Sequence, residues 1–528
     1  MKLQGTTLPS KLTMSMGRDL LLWLKCREEV MRRTLILAMI YLLPAVWFLL
    51  PVVSDPDIWW HLQTGKWIVE HGSLPVTDPF STYGEGKPWV AYSWLFEVGM
   101  YGLVRMLGEI GISLYTLVTV WLIMLVLHRI IVKRRTDFLY ACIVLAASVI
   151  AIARLYTPRP WLLTILFFAI TLEVVLSLRE GEQPPWMWVL PAIYMLWANV
   201  HIQFIYGLGL LGLACLSPVL DRVAQPFCHV QPSMVWGSGT WKKLVIVTAL
   251  CVCATLLTPH HIRLYAIAVE LSAQTGMWEY TQEMQAPTFR SITDWAMLGI
   301  LAVALIQVGW RRSTASFEIL LLLAGGASAF RGQRDVWFLV MGAIVILVQK
   351  QIGEGRHRTG GVTRGSLVSI GLIVAVGVLC ILAHREISTD RIQQETAKVY
   401  PFGAASFVEQ QGYPGPLHNH FDWGGYLIWT LPHLKVSMDG RANVHGDERI
   451  KRALATWAGG PNWREDPDLK NARVIIAKKD MALTSLLQLD PRVTEVYRDE
   501  TAVVFVPATA ESSQPKPLQS AAEIASLH

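Results

Sequence analysis

The chain has 528 residues, of which 53% are hydrophobic and only 16% charged, with a formal net charge of +6 and a mean hydropathy of +0.38. An ordinary soluble enzyme is excluded, since roughly a quarter of such a chain is charged. The positive excess sits mostly in loops between apolar runs, so it is no argument for nucleic acid as a partner.

Apolar runs close to the roughly 20 residues that cross a bilayer as helix alternate with polar connections. They predict spans near 34–53, 111–131, 137–153, 160–178, 186–200, 203–220, 244–258, 294–309, 316–330, 336–349 and 367–384. The fold class is therefore a polytopic α-helical membrane protein with about eleven transmembrane helices, followed by a small extracytoplasmic α/β C-terminal domain. The stretch before the first span lacks a small-residue cleavage site, so that span reads as an uncleaved anchor.

Lys and Arg accumulate on the cytoplasmic side of a membrane. Segment 1–33 carries Lys2, Lys11, Arg18, Lys25, Arg27, Arg32 and Arg33 and is placed inside. Counting from there, the basic loops at Arg129 to Arg135, Arg311/Arg312 and Lys350 to Arg364 also fall inside, provided that 92–108 does not span. Residues from 385 onward then lie outside, and the expected location is the plasma membrane, multi-pass, in contact with membrane lipids. Of the seven cysteines, none lies in the external domain, so no disulfide framework is expected there.

Within the transmembrane region 34–384, the first external loop, 54–110, is the longest connection expected to lie outside, and a loop of that length usually has a job. Segments 57–70 and 92–107 read as helices along the outer leaflet, separated by turn signals at Gly72, Pro75, Pro79, Gly84, Gly86 and Pro88. Trp59, Trp60, Trp67, Trp89 and Trp94 suit the membrane interface. Further along, outward connections carry Arg154 and Arg159, Asn199 to Gln203, His260 to Arg263, Glu279 and Glu283, and Arg331 to Asp335. In 385–507, helices are predicted near 403–411 and 481–488 and strands near 434–438, 473–477 and 492–506. The tail, 508–528, has a disordered composition.

Three constellations carry chemistry. Asp55 and Asp57 stand just beyond the first span, where an acid is costly unless paired or solvated, and His61 lies one helical turn after Asp57. Alternatively, Asp55 is the N-cap of the helix with Pro56 at its first position. Outward arginines Arg154, Arg159, Arg331 and Arg334 run against the topological bias, and a phosphate would explain them through bidentate guanidinium contacts. Internal pairing, such as Arg334 with Asp335 or Arg290 with Asp294, explains them equally. Third, His418, His420, Asp422, Asp439 and His445 offer donors without a standard metal-ligand spacing, while Gly424 and Gly425 form a turn into a helix.

Together these residues resemble the glycosyltransferase C superfamily, polytopic enzymes that use polyprenyl-phosphate-linked sugars at the outer face of the membrane. In that superfamily an acidic residue just after the first span acts as base or orients the acceptor, and Asp57 is the match, with Asp55 beside it. DPDIWWHLQTGKWI followed by GSLPVTDPFS also resembles a group of poorly characterised bacterial membrane proteins. HFDWGGYLIW followed by MDGRANVHG is similar to the tryptophan–aspartate motif of the oligosaccharyltransferase catalytic subunit, with His420 and Phe421 where that enzyme has two tryptophans.

The resemblance implies a sugar moved from a polyprenyl phosphate or pyrophosphate to a glycan, lipid or protein acceptor, with Asp57 as base, aided by Asp55 and His61. It implies Arg334 and Arg159, with Arg154 and Arg331, facing the departing phosphate, and His201 and His260 assisting. Asp422, Trp423, Asp439 and Arg441 of the C-terminal domain would face the acceptor. Some members hold a divalent cation such as Mg or Mn in external loops, for which Asp55, Asp57, Glu279 and Glu283 are candidates; others need none. The alternatives are a transporter or flippase, a cell-envelope scaffold, or an enzyme of this fold that only binds polyprenyl lipid.

Overall fold

The computed structural model describes residues 11–48, 55–135, 137–224, 238–273, 281–311, 315–349, 364–384 and 388–508. Glu279, Cys26 as a side chain, Cys228, the basic residues Lys350, Arg356 and Arg358, and the tail from residue 509 lie outside what is described.

Every predicted span falls on a helix. The first lies on α1 (Lys11–Phe48), the second on α4 (Ile110–Arg134), and the others on Phe138–Ala151, Trp161–Arg179, Leu190–Val200, Phe204–Ala224, Ser238–Thr255, Ile292–Arg311, Ser316–Arg331, Val336–Val348 and Arg364–His384. Among the described residues, four helices are long and apolar enough to cross a membrane: Ile110–Arg134, Trp161–Arg179, Phe204–Val223 and Ile292–Arg311. The difference has a physical reason. Val336–Val348 has 13 residues, about 20 Å of helix, and is buried along its whole length. Its apolar character serves helix–helix packing within the bundle, with Phe168 ring contacts to both Trp337 and Phe338.

The first loop folds as expected into α2 (Ile58–His71) and α3 (Trp94–Leu107). The two helices pack closely because Gly65 has no side chain: a β-carbon there would collide with the Glu97 carbonyl. The tryptophans are less peripheral than their composition suggests. Trp59 is buried, edge-on to Tyr400 at 5.8 Å and Tyr426 at 5.2 Å, and Trp89 is buried beneath the Arg441 guanidinium at 4.7 Å. Both serve the contact between this loop and the C-terminal domain rather than a lipid interface. Trp67, half-buried, stacks on His71.

The C-terminal domain carries a small sheet in the order β1-β2-β4-β3, formed by β1 (Leu417–Asn419), β2 (Val474–Lys478), β3 (Val493–Arg498) and β4 (Ala502–Pro507). β1 runs parallel to β2, and β4 is antiparallel to both β2 and β3. The run 492–506 thus resolves into a hairpin turning at 499–501, and the helices Phe402–Gln411 and Ala482–Gln488 stand where predicted. The segment 434–438 is not a strand of the sheet. Val436 instead makes single parallel bridges to Leu417 and to Ser81, donating to the Phe80 carbonyl at 3.1 Å and accepting from Thr82 N at 3.0 Å. The domain is thereby stitched onto the first loop by backbone hydrogen bonds.

Candidate active site

Helix α2 begins one residue after Asp57, which is its N-cap but makes no capping bond with its side chain. Asp55, read from sequence as the N-cap, accepts from the Asp57 backbone N–H at 2.9 Å. That contact turns the chain so that the Asp57 carboxylate is left for another partner.

The partner is Arg159. Its Nε donates to Asp55 Oδ1 and Oδ2 at 2.9 and 2.7 Å, its Nη1 lies 2.7 Å from Asp57 Oδ2, and Nη1 also approaches Glu283 Oε1 at 3.5 Å. The guanidinium lies over the Trp161 ring. Of the two explanations for this arginine, the one met here is internal pairing. It also bears on metal binding: Asp55, Asp57 and Glu283 converge on a cation that the chain itself supplies. Among the described residues no group of three or more His, Cys, Asp or Glu side chains is arranged to hold one. The histidines of the C-terminal domain are likewise separated, His418 stacked on Trp457 at 5.2 Å and His445 on Asp439 at 3.2 Å.

Asp57 lies on the wall of a cavity of about 760 Å³ that runs between the first loop, the ends of several apolar helices and the C-terminal domain. Asp55, His61, Arg154, Arg159, His201, Glu283, Arg334, Asp422 and Arg441 line it as well. Burial pushes the Asp57 carboxyl up to about 6, the Arg159 guanidinium opposing the shift and Asp55 adding to it. At neutral pH this group is mostly ionised yet basic enough to take a proton.

Arg154 is committed elsewhere, to Asp294 and to Thr293 at 2.7 Å and Ser291 at 2.8 Å; the pairing expected for Asp294 with Arg290 is made by Arg154. Arg334 differs. It packs over the Trp161 ring at 5.3 Å, its Nε is buried without a hydrogen-bond partner, and among the described residues it forms no ion pair, with Asp335 included. The side chain as a whole is half-buried, its charge acts on the neighbouring Asp335, and its buried N–H is left for an acceptor to complete. His201 faces the cavity with Nδ1 held at 2.8 Å by Thr164 Oγ1, and burial keeps it well below the usual histidine range.

The C-terminal domain closes the wall. A β-carbon at Gly440 would overlap Asp57 Oδ1, and one at Gly425 would overlap the Pro56 carbonyl. Arg441 reaches from this domain to the loop, donating to Asp78 Oδ1 at 2.6 Å and to Asp439 Oδ1 and Oδ2 at 2.8 and 2.7 Å. All three side chains are buried. Burial alone would raise Asp439, but Arg441 and His445 outweigh it and hold the carboxyl well below its ordinary value. Asp439 is thus an anchor for Arg441 rather than a cavity residue. Trp423 is buried and donates to the Val399 carbonyl at 3.1 Å; His260 is half-buried with Nε2 3.4 Å from the Ala91 carbonyl; Arg331 is exposed. None of these lines the cavity.

Sequence reasoning passed over Ser93, Glu97 and Asp78. Glu97 is buried on α3, lines the cavity beside Ser93 and lies 3.1 Å from His61 Nδ1. Its signal was available: a lone acid among Trp94, Leu95, Phe96 and Val98 is unusual in an apolar helix.

No protein-family model matches the chain, and no curated protein matches it. Among solved structures, an oligosaccharyltransferase from Archaeoglobus fulgidus, tethered to an acceptor peptide containing the NVT sequon, aligns with a TM-score of 0.47 at 9% identity, over 85% of this chain and 69% of that one. The same oligosaccharyltransferase in complex with Zn and sulfate aligns at 0.45 and 11% identity, over 84% and 68%. ArnT from Cupriavidus metallidurans, bound to undecaprenyl phosphate, aligns at 0.46 and 15% identity, over 91% and 99%. Similarity of this depth assigns no residue here a role.

Proposed function

We propose that the chain is a membrane glycosyltransferase that moves a sugar from a polyprenyl phosphate or pyrophosphate to an acceptor at the outer face of the plasma membrane. The observation that carries the reading is the presence, on one cavity wall, of a half-buried carboxylate raised to about 6, Asp57, and a guanidinium, Arg334, whose Nε is buried and unbonded. Transfer from a lipid phosphate needs both. A base must take the proton of the attacking acceptor, and a fixed positive charge must meet the negative charge that builds on the departing phosphate.

In the reaction, the acceptor O–H or N–H gives its proton to Asp57 as its heteroatom bonds to the anomeric carbon. The bond from that carbon to the phosphate oxygen breaks in the same displacement, and its electron pair leaves with the phosphate toward Arg334. Arg159 fixes the orientation of Asp57 and keeps a useful fraction of it ionised. His201 lies on the same wall as a second polar group for the phosphate. Asp422 and Arg441 belong to the side of the cavity made by the C-terminal domain, where the acceptor, be it glycan, lipid or protein, would enter. No step is routed through a metal ion.

The test is to reconstitute the wild type and Asp57→Asn in lipid discs and follow polyprenyl-linked sugar by mass spectrometry with candidate acceptors added. Turnover by the wild type, with donor retained but unconverted in the variant, is the expected result. Absence of polyprenyl lipid from both folded proteins would overturn the reading in favour of a transporter or scaffold.

A further inference from the structure

Polar atoms on the cavity wall are left without partners on one side in particular. Glu97 Oε2 and Ser93 Oγ are both buried and unbonded, on side chains that are each 1% exposed and that line the cavity. They stand one helical turn apart, Ser93 as the residue preceding α3 and Glu97 in its first turn. Buried polar groups are nearly always hydrogen-bonded, and adjacent exceptions on a cavity wall point to a ligand.

The other oxygen of Glu97 is held. Oε1 lies 3.1 Å from His61 Nδ1, and the Trp60 and Phe96 rings pack against that imidazole, with centroids at 3.6 and 5.3 Å. The carboxyl plane is thereby fixed, with Oε2 as its free end. Burial pushes Glu97 up to about 8 and His61 well below the usual range, with the Arg159 charge adding to the latter. At neutral pH the pair is therefore an uncharged carboxyl against an uncharged imidazole. Such a pair offers hydrogen bonds without net charge, which suits hydroxyl groups and not a cationic or anionic substituent.

On the reading given under Proposed function, we infer that Ser93 and Glu97, positioned by His61, form a recognition site for hydroxyl groups of an uncharged sugar on the lipid carrier. Arg334, whose Nε is likewise unbonded, takes the phosphate of the same molecule. The two ends of the donor are then read by different elements: the sugar by α2 and α3 of the first loop, the phosphate by the turn that precedes Val336–Val348.

The experiment measures equilibrium binding to the full chain in lipid discs of four probes: bare undecaprenyl phosphate, and undecaprenyl phosphate carrying glucose, mannose or galactose. At least one hexose-bearing lipid should bind more tightly than the bare phosphate. Glu97→Ala and Ser93→Ala should each reduce that preference by about tenfold, the scale of a lost neutral hydrogen bond at a buried site, and Glu97→Gln should restore most of it, because the amide keeps an oxygen for His61 and a donor in place of Oε2. Arg334→Ala should weaken all four probes together. A wild type that binds every lipid equally overturns this proposal and leaves the transferase reading standing. A wild type that binds none overturns both. Loss in Glu97→Gln as large as in Glu97→Ala would mean that the group works as a charge, and would overturn recognition of an uncharged sugar.

Discussion

Gly440 of the C-terminal domain stands directly against Oδ1 of Asp57, leaving no room for a β-carbon between them. The carboxylate proposed as the base thus has one face set by Arg159, from a loop between membrane helices, and another set by a glycine almost four hundred residues later in the chain. The smallest possible enlargement at residue 440 must displace the acid. Gly440→Ala should reduce turnover by roughly a hundredfold, the order expected for a misplacement of about 1 Å at a reacting group, while the thermal unfolding midpoint moves little. Full turnover by this variant would show that Asp57 has freedom the packing denies it.

The pH dependence follows from Asp57. Its carboxyl is raised above the ordinary aspartate value to about 6, and only the ionised form can accept a proton. Turnover should therefore rise with pH through a midpoint near that value and level off above it. Asp57→Asn should lose on the order of 10²–10⁴-fold of the rate together with this limb of the profile. A flat profile from pH 5 to 8 in the wild type would remove Asp57 from the role.

Arg159 opposes the burial that raises Asp57. In Arg159→Gln the opposing charge is gone while Asp55 and Glu283 remain, so the midpoint should shift to higher pH. The rate should recover, at least partly, as the pH is raised. The reading is checked by comparing the two pH profiles under the same lipid conditions, and an unshifted midpoint would refute the assigned charge balance.

Arg441 is predicted to matter for docking. Removing it in Arg441→Ala leaves Asp78 buried without its counter-charge and Asp439 with His445 alone, a loss of about 3 kcal/mol for a broken buried pair. The expected outcome is a lower unfolding midpoint and faster hydrogen exchange in both 76–90 and 434–446. Because Asp439 is held below its ordinary value, its contribution is fully present above about pH 4. It fades as pH falls further, and the docking of wild type should loosen only in that acid range.

Much of the helical architecture was legible in the sequence because apolar length is a property of single segments. Every predicted span met a helix, and both first-loop helices and the two main helices of the C-terminal domain lie where their patterns placed them. What was not legible depends on contacts distant in the chain. β1 is three residues long, too short to show a period, and exists only because β2 lies beside it. Trp59 and Trp89 have the composition of interface residues, but their place was decided by Tyr400, Tyr426 and Arg441.

The site divides in the same way. Asp57, Arg159 and Arg334 could be picked out as charges set against their local surroundings. That Arg159 answers Asp55 and Asp57 while the Nε of Arg334 is left unbonded depends on residues far apart in the chain and could not be read locally. Asp439 lies in the stretch that follows the resemblance to a recognition motif, yet it serves as the counter-charge that holds Arg441 across to Asp78.

The clamp of Arg441 on Asp78, with Gly440 resting on Asp57, has a consequence for biosynthesis. The helical bundle and first loop leave the ribosome and enter the bilayer long before residues 417–507 are made, so for that interval the carboxylate and the arginines lie in a vestibule with one wall missing. On the proposed reading the site is completed late and all at once, when the last domain folds and seats its glycine against the acid. A truncated or stalled chain would be inserted with that wall still open, and on the same reading it would leave the lipid-borne pool untouched.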